Sequence, residues 1–203
     1  MSSHWQHHVF WGKNSPLTTL GGAAILVIAS GRISFALICS FSLIWVYVFT
    51  MLAVKLGGNF FPSLGRNAVL LFISSLSAGI FLILLWIFDP LLALESCFFI
   101  FLVPAIFTAS GLCDSMAQYD ILEALSQALV EALILGVLVL GISLIREPLG
   151  FGSISVPGLG LIRFIGEEPI RFFQVSAGAF IIMGYGNAIY RYFRNRYANM
   201  EEE

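Results

Sequence analysis

The sequence predicts an all-α polytopic membrane protein, with six transmembrane segments in two inverted three-helix repeats, each opening on a short or broken helix. Three observations carry that expectation. Hydrophobic residues make up 59% of the 203 and Asp, Glu, Lys and Arg only 11%, less than half the usual charged share. A chain of this length has too little interior for so much apolar side chain, and a mean hydropathy of +0.92 leaves lipid as the place for the surplus. The apolar residues also come in long runs without the period-two alternation of a lipid-facing barrel, so helices are the spanning form. Finally, the runs follow one another short, long, long and then short, long, long.

Residues 1–15 read as a polar arm in which Trp5, Phe10 and Trp11 suit the headgroup region. His4, His7, His8 and Lys13 precede the first apolar run, and no small-residue cleavage signal follows it, so the arm is expected to be retained. Pro16 suits a first helical turn, and Leu17 to Ala29 is then about 20 Å of helix, short of a hydrocarbon core of about 30 Å. After Ser30-Gly31-Arg32, the uncharged stretch Ile33 to Val54 is a full span. Lys55 to Asn67 is a loop rich in glycine, and Ala68 to Phe88 forms the third segment, ended by Asp89-Pro90.

The second half repeats the rhythm. Leu91 to Phe107 carries Glu95 near its start and Pro104 near its end, which leaves Ser96 to Val103 as the clean helical part. Thr108 to Tyr119 is a polar connection and Ile121 to Ile145 the fifth segment. A long loop, Arg146 to Arg171, leads to the last span, Phe172 to Ile189, and to an Arg and Tyr girdle, Tyr190 to Tyr197. The chain is therefore one integral membrane domain with repeats at about 14–90 and 91–197. With three segments in each half, equivalent halves must lie in opposite orientations. Lys13, Lys55, Arg66, Arg191, Arg194 and Arg196 fall on one side and Arg32, Arg146, Arg163 and Arg171 on the other. The positive-inside rule then puts both termini in the cytoplasm, as expected of a bacterial inner-membrane protein.

Charge excludes some functions. Three of the twelve acids are the terminal Glu201, Glu202 and Glu203, and the rest of the chain is close to neutral, so no basic surface for nucleic acid exists. Cys39, Cys97 and Cys113 lack metal-ligand spacing and read as small hydrophobes. Every histidine lies in the first eight residues, which excludes Ser/His/Asp, Cys/His and HExxH sites. GFGSISVPGLG has neither the GxGxxG spacing nor a Walker lysine.

The candidate functional residues are polar groups in apolar surroundings. Glu131 lies near the middle of the fifth segment, where an ionised carboxylate is costly, and shares a ridge with Gln127 and Glu123 at four-residue spacing. Its readings are an ion or proton site, a hydrogen bond to another helix or subunit, or a position facing water. Ser30, with Arg32 beside it, and the pair Thr108 and Ser110 occupy matching places after the first segment of each half, where broken helices offer free backbone groups to an ion. Ordinary interhelical loops are the other reading of both. Arg146 can offset the C-terminal end of its helix, while the adjacent Glu147 points away and can meet another segment; Pro148 and Gly150 then stop the helix.

Three stretches resemble one family. FIFLVPAIFTAS (Phe99 to Ser110) is similar to "GIFIPLIVTNC", IREPLGFG (Ile145 to Gly152) to "IREILGFG", and GAFI (Gly178 to Ile181) to part of the last helix, in the six-helix membrane subunits of the Rnf electron-transport complex and the sodium-pumping NADH:quinone reductase. The resemblance runs from about Asn14 to Ala188. It implies an inverted repeat with two broken helices meeting near the membrane centre. It also implies a homologous partner subunit, with an iron-sulfur cluster shared through two cysteines from each chain. Here Ala24 stands where the "GLCP" cysteine belongs and Ser110 where the "TNC" cysteine belongs, while Cys113 lies three residues further on. Soft clusters need thiolate, so no [2Fe-2S] cluster bound by this chain is expected. The resemblance thus implies a scaffold or coupling subunit of an ion-translocating electron-transport complex, packed against its homologue, other electron-transport subunits and the bilayer. The alternative is a stand-alone small-solute or ion transporter, or the membrane anchor of another assembly.

Overall fold

The computed structural model describes residues 31–57, 66–110, 120–156, 160–163, 171–175, 178–182, 184–186, 188–189 and 192. Among them are four helices long and apolar enough to cross a membrane: α1 (Ile33–Gly57), α2 (Arg66–Phe88), α3 (Pro90–Ser110) and α4 (Ile121–Phe151). A hairpin, β1 (Ser153–Val156) and β2 (Gly160–Arg163), and a 3-10 turn, Arg171–Gln174, follow. The protein is a helical, multi-pass bundle.

α1 is the central element and packs against the other three helices and β1. Ala36, Cys39, Leu43, Val46 and Tyr47 on it are fully buried. Against α3, Phe35 meets Phe99 at 5.4 Å between ring centroids and Tyr47 meets Phe107 edge-on at 4.9 Å, so these two helices run parallel. Trp45 packs on Phe81 of α2. α2 turns into α3 through the single non-helical residue Asp89, whose carboxylate accepts the N–H groups of Leu91 and Leu92 at 3.1 Å and caps α3. The expected end of the third segment at Asp89-Pro90 is the observed one.

α4 buries a stripe of small side chains, Ala124, Ala128, Ala132 and Gly136, which allows close backbone approach. A Cβ on Gly136 would lie 3.2 Å from the Ser40 Cβ. The Ser40 hydroxyl shares its proton between the carbonyls of Ala36 (2.7 Å) and Gly136 (3.2 Å). As α1 runs from Ile33 to Ser40, the partners on α4 run back from Glu147 to Gly136, so the two helices are antiparallel. Arg32 and Arg146 therefore share one end of the bundle and Lys55 lies toward the other, as the charge count expects of them.

Several boundaries differ from the sequence reading. The fourth segment is not short: α3 is 21 residues of continuous helix with Pro104 inside it. Thr108 and Ser110, expected at a break, lie in its last turn. The Thr108 hydroxyl donates to the carbonyls of Pro104 (3.1 Å) and Ala105 (3.0 Å), the former being one that Thr108 also faces at helical spacing, and the Ser110 hydroxyl donates to Phe107 (2.8 Å). Hydroxyls that bond back to their own helix remain compatible with it. Nor does the fifth segment stop at Ile145. It continues through Arg146, Glu147 and Pro148 to Phe151, and Gly152, at φ 64°, closes it by donating its N–H to the Pro148 carbonyl at 3.0 Å. A proline in the last turn removes only one N–H, so the helix survives it. The expected long loop contains the antiparallel hairpin, paired from Ser153 with Arg163 to Val156 with Gly160. In the sixth segment, 178–182, 184–186 and 188–189 are helical, whereas the expected first segment, Ser30, Ala24 and Cys113 lie outside the described residues.

Candidate functional site

Two polar groupings stand out, both on α4. The first is at its C-terminal end, where Arg146 is 4% and Glu147 1% exposed. A buried carboxylate requires donors, and Glu147 has two backbone ones: Ile33 N at 2.6 Å from Oε2 and Ser155 N at 2.6 Å from Oε1. The first lies in the opening turn of α1, whose free N–H groups and positive dipole end favour an anion. The second lies in β1. Ser34 and Ser155 add a direct contact between the same two elements, with hydroxyl oxygens 3.3 Å apart.

Arg146 reaches the other way. Its Nε donates to the Phe173 carbonyl at 2.8 Å and a terminal nitrogen to that of Gln174 at 2.9 Å, while Gln174 Nε2 donates back to the Gly150 carbonyl at 2.7 Å. A Cβ on Gly150 would sit 3.1 Å from the Phe173 carbonyl carbon, so glycine there lets the turn lie against the helix. Arg32 stays exposed, its guanidinium carbon 5.8 Å from the Phe151 ring centroid. Adjacent residues of opposite charge thus fasten four segments: Glu147 holds the start of α1 and the hairpin, and Arg146 holds the 171–174 turn. The third resembling stretch lies close by, since a Cβ on Gly178 would meet the Phe172 carbonyl oxygen at 2.6 Å.

The second grouping is the ridge of Glu123, Gln127 and Glu131. Glu123 and Gln127 are exposed and Glu131 is half-buried, and among the described residues no hydrogen-bond or ion-pair partner meets Gln127 or Glu131. Five residues on from the Ser40–Gly136 contact along each helix, Glu131 comes level with Trp45, the midpoint of α1. Glu131 therefore lies level with the middle of α1, and Arg146 about 22 Å further along the α4 axis.

The structure does not bring the expected candidates into one site. Arg146 and Glu147 sit together with Arg32 near them; Glu123, Gln127 and Glu131 form a separate face; Thr108 and Ser110 lie in the last turn of α3, just past the Phe107 that meets Tyr47. Sequence reasoning missed Ser34, Ser155 and Gln174. The alternation Ser-Ile-Ser-Val between Gly152 and Pro157 was the available signal for β1. Nothing local marks Gln174. For the iron-sulfur group, the Ser110 hydroxyl is bonded within its own helix and offers no thiolate, and among the described residues no three His, Cys, Asp or Glu side chains gather as a metal site. These residues do not fit a cluster.

No family model matches the chain. An uncharacterized protein of Treponema pallidum (strain Nichols) is 29% identical over 177 residues, which cover 85% of this chain and 86% of that protein. The likeness extends over most of both chains.

Proposed function

We propose that this chain is a divergent Rnf/Nqr-type subunit of an ion-translocating electron-transport complex in the bacterial inner membrane, with a scaffold or coupling role and no cluster of its own. In this reading six segments cross the membrane as two inverted repeats, with both termini in the cytoplasm. The supporting observation is the antiparallel packing of α1 and α4. These are the second segments of the two halves, and a two-fold axis in the membrane plane requires such a pair to run in opposite directions. The IREPLGFG stretch supports the same reading, because its Arg, Glu and first Gly all make contacts between segments.

The coupling role falls to Glu131, and the scaffold role to the surfaces that meet homologous and other electron-transport subunits. Purification in mild detergent, with identification of every copurifying chain, tests the proposal. Membrane redox subunits in fixed ratio are the expected result, with no ion movement by the chain alone. A chain that purifies by itself and moves an ion or solute after reconstitution would establish the stand-alone transporter instead.

A further inference from the structure

We draw no further inference here: the strongest candidate, the outward face of α4 around Gln127 and Glu131, carries none because nothing in the structure shows what covers it.

Discussion

Glu131 and Glu147 lie sixteen residues apart on one helix and have opposite surroundings. Glu147 is buried at the end of α4 with a short bond from a backbone N–H to each oxygen, and those donors belong to two other segments. Glu131 is half-buried, level with the middle of α1, with no partner among the described residues. The chain uses Glu147 to hold its own fold together, whereas no group among the described residues holds Glu131. The difference shows that a carboxylate in a membrane protein is assigned by the donors around it and not by its depth alone.

The largest expected effect is at Glu147. E147A leaves the N–H groups of Ile33 and Ser155 buried without acceptors and should destabilise the protein by about 3 kcal/mol or more, read from thermal unfolding in detergent. E147Q should fall between it and the native protein, because an amide offers one acceptor oxygen where two donors wait. An E147A variant as stable as the native chain would break the contrast between the two glutamates.

Next comes Gly136, where the antiparallel pair is closest. G136V places two methyl groups on a Cβ that already lies 3.2 Å from the Ser40 Cβ, so α1 and α4 must separate. Overpacking of this kind costs about 1–3 kcal/mol. It should also reduce a disulfide formed between cysteines introduced as S34C and S155C, whose native hydroxyls are 3.3 Å apart. An unchanged disulfide yield and unfolding temperature would show that the helix pair tolerates the added volume.

The smallest effect is expected for E131Q in the isolated chain, within about 0.5 kcal/mol of the native unfolding free energy, the usual range for a side chain that holds no special contact. The same variant in the assembled complex separates the two roles left to Glu131. Retained assembly with lost ion movement assigns it to coupling, whereas retained assembly and retained ion movement leave it the packing role.

Much of the fold was legible because transfer into lipid depends on composition over a window of about twenty residues, and no tertiary contact changes that requirement. The spans from Ile33 and from Ala68 and the end of the third segment at Asp89-Pro90 followed from it. Local rules were less reliable where the helix ends. Pro104 and Pro148 read as stops, yet each removes one N–H, and the bundle around them holds the helix in place. The apparent short-long-long rhythm failed in the second half for this reason, since α3 continues from Pro90 to Ser110.

The sequence by itself determined that this protein is a bundle of apolar helices with a few polar groups that lipid does not satisfy, because hydropathy is additive along the chain. It also marked Arg146 and Glu147 as a pair of opposite charges at a helix end. Only the tertiary structure decided that α1 and α4 are antiparallel, that Glu147 closes the start of α1 across 114 positions of sequence, and that Arg146 holds the 171–174 turn. A hydrogen bond depends on where two groups meet in space, and Ile33, Ser155, Phe173 and Gln174 contribute backbone atoms that every residue type carries, so their identities gave no notice of the partners they would hold.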